Sequence, residues 1–432
     1  MQKMRIDEVC KATRGIPCGL DKSLIIEGVS TDSRSDVTGK LFIPIVGDTF
    51  DGHDYIEKAI ENGAVCALTE QKQKDGLIKV DSTRQALIDL AVNDRSHFTG
   101  PVVAITGSAG KTTTKEIIAS VLSQKYKTLK TVGNFNNDIG LPLTLLGRKK
   151  EHEAMVLEMG MNHLGEIRVL SKIGRPDICL ITNIGDAHIE NLGSREGILK
   201  AKSEIFEGMK QGGTVILNGD DPLLAALPKV PHAKKTIYCS MNDVCNIKHM
   251  GLPGTTCEIY GTPVKVPLPG AHMIMNAIMA FAVGRELGVT PQQIAEGIKA
   301  FKPPGHRMAI TEANGMTVVN DAYNASPSSM KAAIDIMCEI EGRKVCILGD
   351  MLELGDFAQA LHEEVGDYAA AKKMDLLIAI GPLSKHMRRA VYFETKEAFL
   401  AKWHQYLKQG DTVLIKASRG MALESIAEEI SK

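Results

Sequence analysis

Gly107, Gly110, Lys111 and Thr112 stand together in the run Ala104-Ile105-Thr106-Gly107-Ser108-Ala109-Gly110-Lys111-Thr112-Thr113-Thr114, and the combination suits a nucleoside triphosphate. Glycines let a backbone approach phosphate oxygens, a lysine ammonium reaches the outer phosphates, and a threonine hydroxyl ligates magnesium. Gly107, Ser108, Ala109, Gly110, Lys111, Thr112 and Thr113 therefore form the candidate nucleotide-binding loop. A full-length phosphate loop would begin with glycine at position 105, where this chain has Ile105, so the loop is a shortened variant. A plain glycine turn before a helix would explain the glycines but not the Lys-Thr-Thr that follows.

Three more polar residues stand in or beyond other segments of the same region. Met155-Val156-Leu157-Glu158 closes on a carboxylate placed to meet the magnesium of a triphosphate; the alternative is an acid at a helix N-terminus. Thr182-Asn183-Ile184-Gly185-Asp186-Ala187-His188 brings a histidine just past another apolar run. Alone, it would be an ordinary loop or core histidine. Lys202, in Ala201-Lys202-Ser203-Glu204, would alone be a solvated helix lysine.

The elements that must position these residues follow from periodicity. Val102 to Ile105, Ala154 to Leu157, Ile178 to Thr182 and Thr214 to Leu217 are short apolar runs of buried-strand type, and helical spacing lies between them. Strands alternating with helices imply a mostly parallel, doubly wound sheet, with the phosphate loop between strand and helix N-terminus. Before it, residues 1–98 read as a small unit, with short β-like runs such as Lys40 to Ile45, a helix around Tyr55 to Ile60, and a polar break at 93–101. After it, Phe301-Lys302-Pro303-Pro304-Gly305 reads as a linker. Strands at Val345 to Leu348, Leu376 to Ile380 and Thr412 to Ile415, with a helix over Met330 to Glu341, then predict a second α/β unit. The expected organisation is α/β with three domains: 1–98, 99–301 and 302–432.

A chain of 432 residues exceeds one compact domain. The net charge of -1 gives no footprint for nucleic acid or an anionic membrane. No window approaches eighteen apolar residues, which excludes a helical membrane span. Nine cysteines without C-x-x-C spacing read as reduced thiols, hence a cytoplasmic protein.

The motifs together resemble the Mur ligase family, ATP-dependent amide-forming enzymes that extend the peptide of the bacterial cell-wall precursor. The central likeness covers the shortened loop, Gly133-Asn134-Phe135-Asn136-Asn137-Asp138-Ile139-Gly140-Leu141-Pro142, the Glu158 strand, Thr182 to His188, Lys202, Leu268-Pro269-Gly270-Ala271-His272 with Asn276, and Gly305-His306-Arg307-Met308. It implies catalytic roles for Lys111, His188, Lys202 and Arg307. It also implies two magnesium ions, with Thr112 and Glu158 on the first, His188 on the second, and Lys202 carrying a CO2-derived N6-carboxylate. By the same resemblance Asn276 contacts the adenine, Arg307 the phosphates and Asp321 the ribose, while Asn136 and Asn137 lie near phosphate or substrate.

The outer segments narrow the likeness. Asn320-Asp321-Ala322-Tyr323-Asn324-Ala325-Ser326-Pro327, Ile347-Leu348-Gly349-Asp350-Met351-Leu352-Glu353-Leu354-Gly355 and Lys416-Ala417-Ser418-Arg419 are similar to signatures of the family members that add D-alanyl-D-alanine. They depart from those signatures at Asn320, Ala322, Ser326 and Ala417, and Met273 replaces a usual asparagine. Thr31-Asp32-Ser33-Arg34, Gly39 to Gly47 and Phe50 to Asp54 resemble the family's UDP-sugar-binding domain. The resemblance thus implies a small N-terminal UDP-binding domain, a central ATP domain and a C-terminal Rossmann-like domain for the dipeptide. Ser33, Arg34, Asn136, Asn137, Tyr323, Asn324 and Lys416 are the implied substrate contacts. The implied partners are UDP-N-acetylmuramoyl-tripeptide and D-alanyl-D-alanine; a monomer is the expectation, and the sequence leaves the oligomeric state open. The third residue of the tripeptide stays open, as does the group that takes the amine proton. A different ligase of the family, a regulatory ATPase and a silent binding protein are the alternatives.

Overall fold

The computed structural model describes residues 3–47, 49–71, 74–303, 305 and 307–432. Pro304 of the expected linker and His306 of the Gly305-His306-Arg307-Met308 motif lie outside the described residues. At the centre is a six-stranded sheet in the order Lys235–Cys239, Thr214–Asn218, Ile178–Ile181, Val102–Thr106, Ala154–Glu158, Thr128–Lys130. All five pairings are parallel. The inner strands are runs of Val, Ile, Leu, Ala and Met buried throughout, the composition of a sheet covered by helices on both faces. Polar side chains arrive where these strands stop, at Thr106, Glu158 and, one residue on, Thr182. Chain order reverses about Val102–Thr106, since the next two strands lie on one side of it and the following three on the other. That reversal opens a crevice at the carboxyl ends of the strands. The helix Lys111–Leu122 starts there, and the nearly all-apolar helix Ala271–Glu286 is buried against it.

The sequence reading expected strands alternating with helices up to about residue 301. Instead, Val244–His249, Thr255–Ile259 and Thr262–Val266 form a separate three-stranded antiparallel sheet. Its hairpin turns at Tyr260 and Gly261, with φ of 49° and 75°, the left-handed pair that fits the twist of two-residue hairpins.

The N-terminal part carries a five-stranded sheet, Ile16–Pro17, Leu77–Lys79, Cys66–Thr69, Lys40–Phe42 and Gly28–Ser30. Its last helix, Thr83–Ser96, is fixed to the central part. Asp94 takes a two-pronged ion pair from Arg148 at 2.9 and 3.0 Å. Arg95 donates to the carbonyls of Gly174, Phe98 and Arg175 at 2.7 to 2.9 Å. The C-terminal sheet runs Ala309–Ala313, Met316–Asn320, Asp411–Lys416, Arg343–Gly349, Leu376–Ile380, Val391–Phe393, parallel except for its first pairing. Among the described residues no helix is long and apolar enough to cross a membrane, and all nine cysteines are free thiols.

Candidate active site

The phosphate loop is splinted by the segment that follows Ile178–Ile181. Ser108 donates its amide to the Asn183 carbonyl at 3.0 Å, and the Ala109 amide donates to Asn183 Oδ1 at 2.9 Å. Thr182 Oγ1 and Asn183 Nδ2 both donate to the Ala109 carbonyl, at 2.6 and 3.1 Å. The Gly185 amide reaches Ser108 Oγ at 2.9 Å. Gly107 is obligatory, because a Cβ there would lie 1.8 Å from Thr182 Oγ1. Gly110 takes φ 78° as the helix begins, so the first-turn amides of Lys111, Thr112 and Thr113 are left for an anion. Lys111 Nζ donates to the Gly107 carbonyl at 2.7 Å. Burial pulls the Lys111 ammonium below the ordinary lysine range, with Glu158 opposing the shift and Arg307 adding to it.

Glu158 is buried beside the loop helix. Its Oε1 accepts from Thr112 Oγ1 at 3.2 Å and from Asn136 Nδ2 at 2.9 Å. Its Oε2 is buried without a hydrogen-bond partner, 3.6 Å from the Lys115 ammonium. Lys115 was missed in the sequence; its signal is its place one turn after Lys111, on the face turned to the strand end. A buried carboxylate whose Oε1 meets a threonine hydroxyl and whose Oε2 makes no hydrogen bond fits a hard divalent cation. Among the described residues no group of three or more His, Cys, Asp or Glu side chains comes together at metal-binding distance. Magnesium needs no such cage when phosphates and water complete its shell.

Lys202 ends the helix Arg195–Ser203 and is 1% exposed, unlike a solvated helix lysine. Burial, and then repulsion from Lys111, hold its amine well below the ordinary lysine range. His188 caps the short helix Ile189–Leu192 with φ 65°. Its Nδ1 lies 2.8 Å from Glu353 Oε2 of the C-terminal part, close enough for an ion pair though not aligned as a hydrogen bond. That contact with His188 lowers the pKa of the Glu353 carboxyl.

The other expected residues fall into three groups. Asn276 lies against the loop, its Oδ1 3.2 Å from where a Gly110 Cβ would stand. Across the crevice, Arg307 stacks 3.8 Å over the Tyr323 ring, and Arg419 lies 4.9 Å from the same ring. Lys416 pairs with Asp321 and donates to the Asn324 carbonyl at 3.0 Å. Asn137 is engaged locally, its Oδ1 accepting from the Gly140 amide at 2.8 Å. Ser33 and Arg34 sit in the N-terminal part, where the Arg34 fork holds Asp32 at 2.9 and 3.0 Å.

Three family models match in sequence: Mur ligase family, catalytic domain, over residues 25–99; Mur ligase middle domain, over 105–284; and Mur ligase, glutamate ligase domain, over 306–419. The chain is 39% identical to the UDP-N-acetylmuramoyl-tripeptide--D-alanyl-D-alanine ligase of Bacillus subtilis, over 98% of this chain and 97% of that one. The chain belongs to the Mur ligase family. The ligase of the same name from Escherichia coli is 35% identical, covering 95% of this chain and 94% of that one. Among solved structures, MurF of Acinetobacter baumannii superposes with a TM-score of 0.92 at 31% identity, covering 100% and 99% of the two chains. The Thermotoga maritima MurF ligase in complex with ADP gives 0.84 at 31% identity, covering 94% and 97%. The α/β architecture is that of a three-domain Mur ligase.

Proposed function

We propose that the chain joins D-alanyl-D-alanine to UDP-N-acetylmuramoyl-tripeptide with ATP, releasing ADP and phosphate, as an acid–amino-acid ligase of peptidoglycan precursor synthesis. The observation that carries the reading is the likeness to the B. subtilis ligase at 39% identity over 98% of the chain. We place the domain boundaries near 98/99 and 301/302, and read the protein as cytoplasmic and monomeric.

A carboxylate does not condense with an amine in water without activation. ATP converts the terminal carboxylate of the tripeptide into an acyl phosphate; the amine then adds to that carbonyl through a tetrahedral intermediate, and phosphate leaves. Both steps bring anions together, so the protein's share is positive charge and orientation. The loop amides and Lys111 hold the phosphates, and Arg307 meets them from across the crevice. Asn276 orients the adenine and Asp321 the ribose. Ser33 and Arg34 take the UDP end, Asn136 and Asn137 the region near the reacting carboxylate, and Tyr323, Asn324 and Lys416 the dipeptide side. Magnesium, when bound, supplies charge to the phosphate oxygens; Thr112 and Glu158 would hold one ion, and His188 with Lys202 as its carbamate a second. Burial lowers the Lys202 pKa, which favours the free amine, the form that attacks CO2.

Phosphate release with ATP and magnesium, measured with each substrate alone and with both, tests the reading. The ligase predicts release only when tripeptide and dipeptide are both present; release without the dipeptide would mean an ATPase instead. Running the assay with lysine- and diaminopimelate-containing tripeptides identifies the third residue.

A further inference from the structure

Gly349-Asp350-Met351-Leu352-Glu353-Leu354-Gly355 has no part in the reaction described above, yet it is built with care. Asp350 is buried, and its Oδ1 accepts from the Leu383 amide, the Ser384 amide and Ser384 Oγ at 2.6 to 3.1 Å. The Met351 amide donates to His362 Nε2 at 3.0 Å, and the Leu352 amide to Ser418 Oγ at 2.9 Å. The first half of the segment is thus pinned to its own domain. The second half leaves it: Glu353 takes φ 63°, a left-handed conformation that non-glycine residues rarely adopt, and its carboxylate meets His188 of the central domain at 2.8 Å. His188 is itself left-handed, with φ 65°. At Gly355, φ 51°, a Cβ would lie 3.0 Å from Glu190 Cγ, so the segment also packs against the Glu190 side chain. Two unusual backbone conformations facing one another across a domain seam are the kind of strain that clusters at switch points.

We propose that Glu353 is a positioning residue by which the C-terminal domain, on closing, brings a carboxylate against Nδ1 of the His188 imidazole, orienting the ring by charge and leaving Nε2 free to act as the ligand atom. A histidine that ligates a cation is held in one tautomer and one orientation by the group on its other nitrogen. Here that group comes from another domain, so the second cation position is complete only in the closed enzyme. Closure and readiness for acyl transfer are then one event. The inference rests on the ligase reading above, and it goes further by assigning the coupling to one carboxylate.

Glu353→Gln keeps the shape and removes the charge. Small-angle scattering is recorded with and without a non-hydrolysable ATP analogue, magnesium and UDP-muramoyl-tripeptide, alongside steady-state kinetics and thermal melts. Wild type is expected to compact with ligands and Glu353→Gln to stay extended. The variant's kcat should fall roughly tenfold, the size of a typical coupling between two sites. The half-saturating magnesium concentration should rise several-fold, while analogue affinity changes by less than about twofold. Glu353→Ala should repeat the pattern, and unchanged melts for either variant separate it from misfolding. Variants that compact and respond to magnesium like wild type overturn the proposal. If wild type shows no dipeptide-dependent phosphate release, the ligase reading fails; the compaction experiment still decides the role of Glu353.

Discussion

The central domain meets its two neighbours through seams of opposite chemistry. On the N-terminal side, Asp94 and Arg148 are 5% and 4% exposed and joined by two hydrogen bonds, and the Phe98 ring lies 5.7 Å from both the Arg95 and the Arg148 guanidinium. Removing one partner while the seam stays closed would strand the other's charge in a dry interior. On the C-terminal side the charged contacts are only partly buried: His188 with Glu353, 17% and 54% exposed, and His249 with Glu339 at 3.5 Å, 44% and 31% exposed. Apolar packing supplies the rest, with Ile336 against Gly270 and one buried cluster reaching into the helix Pro327–Cys338, while Ser328 Oγ lies 3.2 Å from where a Gly185 Cβ would stand. Pairs that water reaches part at lower cost than dry ones, because water takes the partner's place. The first seam is a fixed platform, and the second is where opening and closing belong.

The largest effect is expected where the platform is cut. Asp94→Ala removes the carboxylate facing a buried guanidinium and should cost about 3–5 kcal/mol of stability, as broken buried pairs do. Urea denaturation measures it; a loss under 1 kcal/mol would put the N-terminal seam in the same class as the other. The second effect is catalytic. Gly185→Val fills the gap to Ser328, holding the C-terminal domain back from the phosphate loop. We expect kcat to drop about tenfold or more, since small misplacements of reacting groups are that costly, with the melting temperature nearly unchanged. A large loss of stability with normal kcat in the surviving enzyme would show that Gly185 serves the central fold rather than the seam.

The two seams were unequally legible in the sequence. The central strands announce themselves as unbroken apolar runs, and the polar residues ending them, Thr106 and Glu158, are visible as breaks in pattern. The loop's lysine and threonine needed only spacing. Nothing local marks Asp94 and Arg148 as partners 54 residues apart, because a buried ion pair is made by tertiary packing, and each residue alone reads as a surface charge. Lys202 misleads for the same reason, as its helix looks amphipathic until the fold covers it. Glu353 lay in a segment whose likeness to a family signature was noticed, but its reach to His188 depends on a left-handed backbone that no residue type there advertises. The antiparallel sheet at 244–266 was readable from its period-two burial and its Tyr260-Gly261 turn, and was obscured by the expectation of further helices.

Buried cations supply the third test. Arg148 has its carboxylate, whereas Lys202 has burial acting against its charge and, after it, the like charge of Lys111. The folded pKa of Lys202 is therefore lowered while the unfolded value stays near about 10.4. Between the two, the unfolded chain holds a proton that the folded chain does not. In CO2-free buffer, stability should rise with pH through that window, by at most about 1.4 kcal/mol per unit. It should fall as the solution is acidified toward the folded pKa, below which both states are protonated. Lys202→Met should flatten the rise in a series of denaturation curves. Parallel curves for wild type and variant would mean that Lys202 is protonated in the fold, and the carbamate chemistry would lose its starting amine.

The smallest effect comes from a second ion pair on the platform. Arg84 grips Asp138 with two hydrogen bonds, at 2.5 and 2.7 Å, so by geometry it matches Asp94 with Arg148. Its side chains are 52% and 31% exposed, and burial is the variable that differs. If geometry set the strength of a seam, Arg84→Ala would cost as much as Asp94→Ala. If desolvation does, the cost should be under about 1 kcal/mol and shrink further in high salt. Denaturation of both variants at low and high ionic strength decides between them. Comparable losses at both sites would remove the reason for calling one seam fixed and the other free to open, because the half-exposed His188 and Glu353 contact would then bind the C-terminal domain as firmly as Arg148 binds the first.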